Sequence, residues 1–162
     1  MKLNCDLGES FGAWSMPVES AIMAEIDQAN IACGFHAGDP LVMKQAILSA
    51  KQHDVAIGAH PAYPDLQGFG RRSMAIAADE LKAMIQYQVS ALSGMAKVCG
   101  ANVSYVKPHG ALYNDMMKDT AVMRTVMQSI AEINIQSLNS PLALMVQATS
   151  QNAALKDAAQ EW

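Results

Sequence analysis

Three histidines stand at matching places in the chain, each with an acid or a base close by. His36 lies in Ile31-Ala-Cys-Gly-Phe-His36-Ala-Gly-Asp39-Pro40, His60 in Val55-Ala-Ile-Gly-Ala-His60-Pro61, and His109 in Val103-Ser-Tyr-Val-Lys107-Pro-His109-Gly110. Each follows a short, largely apolar run and sits beside a glycine or proline turn. Asp6-Leu-Gly-Glu9 follows a fourth such run near the start. A carboxylate with two imidazoles can bind a divalent transition metal and leave positions open to water or substrate, and Asp6, His60 and His109 supply that donor set. No local ligand spacing such as HExxH marks them. The same side chains could instead hydrogen-bond loop backbone and shape a pocket.

Asp6, Glu9, His36 and Lys107 are the candidate catalytic groups. His36, between Gly34 and Gly38, suits acid/base work or a substrate contact. Asp39 either joins it or only caps a helix. Lys107 precedes Pro108, which favours extended backbone and a fixed side chain. It could meet a carboxylate or phosphate, or activate an amide carbonyl, unless it is an ordinary strand-end lysine. Arg71-Arg72 meets an anion or sits in a solvated loop. His53 reads as an exposed helix-end residue. The chain has no GxxxxGK[ST] loop, no GxGxxG after a strand and no GxSxG elbow, so no nucleotide site is advertised.

Positioning these groups falls to strand-loop-helix units. Asp39 is a good N-cap and Pro40 suits the first helical position. Leu41, Val42, Ala46, Ile47 and Ala50 then recur at helical spacing to about His53. The spacing predicts strands at Lys2 to Cys5, from Ile31, at Val55 to Gly58, at Val103 to Val106 and at Leu142 to Val146. Helices are expected from about Pro17 to Glu25, from an Asp79 cap to a stop at Gly100, from an Asp119 cap through Ile130, and over the last segment to Trp162. The long polar loop His60–Ser73 has the length of a binding loop. Alternating strands and helices imply a parallel sheet with right-handed crossovers. Asp6, Glu9, His36, Asp39, His60, Asp65, Lys107 and His109 then share the face at the C-terminal strand ends, where such folds bind ligands. Five βα units fall short of a barrel of about 250 residues, so either the sheet stays open or the fold continues past this chain.

The 162 residues are expected to form one domain with a sizeable core. Net charge −4 argues against a nucleic-acid groove. The twelve methionines fall mostly on helical faces and read as core filling. Three cysteines without a CxxC pair, an N-terminus lacking an apolar signal region and the absence of any membrane-length run point to a cytoplasmic protein.

Four stretches, Asn4–Glu9, Ala29–Asp39, Gly58–Asp65 and Val106–Asn114, together resemble the LamB/YcsF family, in the right order and along the whole chain. The resemblance implies an α/β fold, a TIM-like β/α barrel related to metal-dependent carbohydrate deacetylases. Residues 1–162 would be a single barrel domain lacking its C-terminal strands, because family members continue further. It also implies ATP-dependent hydrolysis of 5-oxo-L-proline (pyroglutamate) to L-glutamate, performed with 5-oxoprolinase subunits B and C. ATP would be a co-substrate bound with those partners, a divalent metal ion would fit the histidines, and a homo-oligomer is left open.

The roles follow from chemistry, since the family name does not supply them. A lactam is a stable amide, so opening it needs carbonyl activation, as by phosphorylation, and a positioned water. Asp6, or a metal held by Asp6, His60 and His109, would activate the water. Lys107 and His36 would bind the substrate carboxylate or the developing oxyanion. Asp39, Tyr63, Arg72 and Asn114 are the expected substrate contacts. Two rival readings stand: a free-standing metal-dependent carbohydrate deacetylase or amidohydrolase, and a non-catalytic docking subunit.

Overall fold

Five strands make one parallel sheet in chain order: β1 (Asn4–Leu7), β2 (Gln28–Ala32), β3 (Ala56–His60), β4 (Val103–Val106) and β5 (Ala143–Leu144). The structure, a computed structural model, describes residues 1–16, 19–136, 141–150 and 152–159. Between and after the strands come α1 (Glu19–Ile22) with a 3-10 turn at Met23–Glu25, α2 (Pro40–Gln52), α3 (Ala78–Val98), α4 (Gly110–Lys118), α5 (Thr120–Gln136) and α6 (Asn152–Ala159). A strand order that never reverses is the winding of a barrel rather than of a doubly wound sheet. The fold is α/β and TIM-like, as expected.

Strand alternation separates two environments. Leu7, Ala29, Ile31, Ile57, Ala59 and Val106 are buried in one hydrophobic core with Ile47 and Ala50 of α2, Ile85, Val89 and Leu92 of α3, and Val126 and Ile130 of α5. The other face is polar where the strands meet. Asp6 pairs in register with Asn30, Asn30 with Gly58, and Gly58 with Tyr105. One row of inward-facing positions therefore crosses four strands, with Gly58 leaving a gap in it.

Several expected boundaries are corrected. β1 begins at Asn4, not Lys2, so Asp6 lies inside the strand. β2 begins at Gln28, because Gln28 and Asn30 face inward and break up the apolar run that sequence reading looks for. β3 runs to His60 rather than ending at Gly58, and β5 is only Ala143–Leu144. Ala77, not Asp79, caps α3, and Asp79 sits in its first turn, where an acid still complements the helix dipole. Helix α4 was not anticipated. The expected start at Pro17 and end at Trp162 lie outside the described residues.

Other readings hold. Asp39 caps α2, its Oδ1 accepting the amides of Leu41 and Val42 at 2.9 Å each, while Oδ2 accepts the Gly12 amide at 2.9 Å. One carboxylate thus ties the β1 loop to the start of α2. Asp119 accepts the Ala121 amide at the start of α5. Burial pushes the Cys33 thiol up to about 12, which leaves it an inert core group.

Candidate active site

The inward alternation that puts Asp6 on β1 also puts His60 at the end of β3, and the segments that follow the strands bring the remaining groups over them. Glu9 comes from the loop after β1, His36 from the loop after β2, and Lys107 and His109 from the turn after β4, where His109 is the cap residue of α4. Glu9, His36, His60 and His109 are all buried and each offers a ligand atom, these atoms lying within 4.8 Å of one another. Asp6 stands at the edge of this cluster, with Oδ1 3.4 Å from His60 Nε2 and 2.7 Å from Lys107 Nζ.

The hydrogen bonds determine which nitrogens are free to bind something. His60 Nδ1 faces the Lys107 carbonyl at 2.5 Å, and His109 Nε2 faces the Phe69 carbonyl at 2.8 Å. A carbonyl only accepts, so both of these nitrogens carry hydrogen. The opposite nitrogens, His60 Nε2 and His109 Nδ1, lie 2.9 Å apart. With both rings neutral, two lone pairs point at each other. A proton or a cation must lie between them. Metal-bound histidines commonly donate their far N–H to a backbone carbonyl in this way.

Electrostatics support a site ready for a cation. Burial, and then the charge of His60, lower His36 to about 3, while burial lowers His109 to about 4, so both are neutral ligands at neutral pH. His36 Nε2 contacts Glu9 Oε1 at 3.0 Å and stacks on His109 with ring centroids 3.7 Å apart. Its Nδ1 is buried without a hydrogen-bond partner among the described residues. Burial raises the Glu9 carboxyl despite nearby His60 and His109. Burial would raise Asp6 as well, but hydrogen bonding and charge from His60, with hydrogen bonds from Lys107 and Asn30, outweigh it and hold the carboxylate well below its usual range. The cluster has the donors and the closeness to hold a metal ion.

The loop after β3 closes the site from above. Phe69 sets its ring edge-on to His36 and His109 and supplies the carbonyl to His109. Gly70 follows at φ +63°, where a Cβ would come within 2.7 Å of the His109 ring and 2.8 Å of His36 Cβ. Only glycine fits against the stacked pair. Buried Asp65 braces this loop, accepting the Gly68 amide at 2.9 Å and the Arg72 side chain at Nε and Nη2.

The remaining expected contacts lie outside the cluster. Asp39 acts as cap and tie. Tyr63 is buried and donates to Asp115 at 3.1 Å, Arg72 is joined to Asp65, and Asn114 is exposed on α4. Sequence reasoning did not single out Asn30 or Tyr105, polar side chains within strands that reach toward Asp6.

A parallel β/α sheet with a buried histidine–glutamate cluster at its strand ends defines a class of barrel proteins competent to bind a metal. Within that class, the chain belongs to the LamB/YcsF family, whose match runs over residues 1–161. It is 55% identical over 152 residues to an A-type 5-oxoprolinase subunit of Pseudomonas putida, covering 94% of this chain and 57% of that protein. It is 51% identical to the A-type 5-oxoprolinase subunit of Pseudomonas fluorescens, covering 99% of this chain and 62% of the relative. The crystal structure of a lactam utilization protein from Thermus thermophilus superimposes with a TM-score of 0.87 at 38% identity, covering 99% of this chain and 62% of that one. The chain thus spans about three fifths of the length of these relatives. Among the described residues no helix is long and apolar enough to cross a membrane.

Proposed function

We propose that this chain is the site-bearing part of the A-type component of 5-oxoprolinase, hydrolysing 5-oxo-L-proline to L-glutamate in the cytoplasm with ATP consumption and with subunits B and C. Residues 1–162 belong to one β/α-barrel domain in this reading, and ATP is a co-substrate bound together with the partners. The observation that carries it is the approach of His60 Nε2 and His109 Nδ1 to 2.9 Å, ringed by Asp6, Glu9 and Lys107. The names of the relatives, A-type subunits of 5-oxoprolinase, support this choice of substrate.

His60 and His109 are the proposed metal ligands, with Asp6 as the carboxylate beside them. A divalent metal bound there would polarise a carbonyl and acidify a bound water. Glu9, its carboxyl raised by burial, accepts the proton of the attacking water, and His36 holds Glu9 in place. Lys107 donates to the oxyanion that develops as the amide is attacked. Asp6 stays ionised and holds the Lys107 ammonium in place, accepting from Nζ at 2.7 Å. Asp39, Tyr63, Arg72 and Asn114 complete the substrate side, the first three through the loops they hold.

The test is ADP release dependent on 5-oxoproline. It uses this chain and a version extended to the length of its relatives, each mixed with candidate B and C subunits. Activity that disappears in His60→Ala supports the reading. Hydrolysis of a carbohydrate amide without ATP or partners would replace it with the deacetylase reading. Undiminished activity in His60→Ala would replace it with a docking role.

A further inference from the structure

Two buried polar groups on the inner face of the sheet take no part in the proposed chemistry. Asn30 is fully buried, and both ends of its amide are engaged. Nδ2 donates to Asp6 Oδ1 at 2.8 Å and to Asn4 Oδ1 at 2.9 Å, while Oδ1 accepts the Tyr105 hydroxyl at 2.7 Å. The partners settle the amide's orientation, because a carboxylate can only accept and must face the NH2 group.

Tyr105 reaches Asn30 from two strands away. Its ring passes over β3 at Gly58, where a Cβ would stand 2.1 Å from a ring carbon. Glycine inside a strand weakens it and often marks a close approach. Here it opens the lane between Tyr105 and Asn30. The strand register follows the same line, Asp6 to Asn30 to Gly58 to Tyr105. Burial, and then the charge of Asp6, push the Tyr105 phenol well above its ordinary value, so the hydroxyl remains a donor.

We propose that Asn30 and Tyr105 are positioning residues that fix the Asp6 carboxylate where it meets both Lys107 and His60. A carboxylate turns freely about its last bond unless a partner holds it. Asn30 supplies that partner, and the Tyr105 hydroxyl, donating to Oδ1 at 2.7 Å, anchors the far side of the amide so that Nδ2 stays aimed at Asp6. The chain of contacts ends on the oxygen that lies 2.7 Å from Lys107 Nζ and 3.4 Å from His60 Nε2. The proposal rests on the role given to Asp6 in ring opening.

Tyr105→Phe keeps the ring over Gly58 and removes only the hydroxyl. Crystal structures of the wild type and this variant should superimpose in backbone, with the Asp6 carboxylate turned and its contact to Lys107 lengthened. In the assembled complex kcat should fall about tenfold with KM little changed, as for partners that orient a site group. In an Asp6→Asn background the same substitution should cost nothing further, because the group to be positioned is already gone. A carboxylate that stays in place in Tyr105→Phe overturns the proposal, as does an equal loss in both backgrounds. A wild type without 5-oxoproline-dependent ADP release removes the ring-opening reading instead, and the crystallographic comparison then decides this one.

Discussion

His60 Nε2 and His109 Nδ1 face each other at 2.9 Å, while the far nitrogen of each ring is committed to a backbone carbonyl. Neither ring can relieve this by switching tautomer, because that would set a lone pair against a carbonyl oxygen. The arrangement therefore selects for a positive charge between the rings.

Metal binding should follow from that charge requirement. Titration with Co2+ should show one ion per chain, and His60→Ala and His109→Ala should each abolish it. A metal held at about a hundred times its Kd should stabilise the wild type by about 2.7 kcal/mol, and neither variant. Equal thermal shifts in all three proteins would contradict the assignment.

Gly70→Ala should disturb the site without touching a charge. The added methyl meets His109 and His36 below 3 Å on a backbone at φ +63°. Overpacking of this kind costs about 1–3 kcal/mol, measurable by urea unfolding, and Co2+ affinity should fall with it. Wild-type stability and affinity in this variant would mean that the loop does not press on the histidines.

The brace at Asp65 predicts an acid limit. Side-chain hydrogen bonding from Arg72, only partly opposed by desolvation, lowers its folded pKa to about 2, below the ordinary carboxylate value of about 3.9. The direction gives the sign: the stabilisation is complete above the ordinary value and is lost as pH falls toward about 2. Unfolding free energy followed from pH 5 downward should decline less steeply in Asp65→Asn than in the wild type. Parallel curves would remove the brace.

Lys107→Met keeps the length of the side chain and deletes its charge. Loss of a preorganised donor to an oxyanion typically lowers kcat by about 10²–10³. The complex should show that loss with Co2+ still bound, since Lys107 supplies the site with its carbonyl as well as its ammonium. Loss of the metal as well would make Lys107 a structural residue.

Much of the site was legible because its residues are chemically conspicuous. Three histidines beside turns, with Asp6, Glu9 and Lys107, carry their placement in the strand-loop-helix rhythm. The pairing of Glu9 with His36 was not legible, nor were the carbonyls of Phe69 and Lys107 that set the tautomers, since backbone atoms leave no sequence signal. Asn30 interrupted an apolar pattern and hid the start of β2. Gly58 read as a strand end although it makes room for the ring of Tyr105, its register partner on β4. Helix α4 went unseen because Gly110 opens it at φ +53°, which reads as a break.

The most direct test of metal-dependent ring opening is 5-oxoproline-dependent ADP release by the assembled complex. It should be measured after removal of divalent ions and again after Co2+ is restored, with His60→Ala alongside. The account predicts that activity disappears on stripping, returns with Co2+ in the wild type, and never appears in His60→Ala. Full activity in the stripped wild type would contradict it.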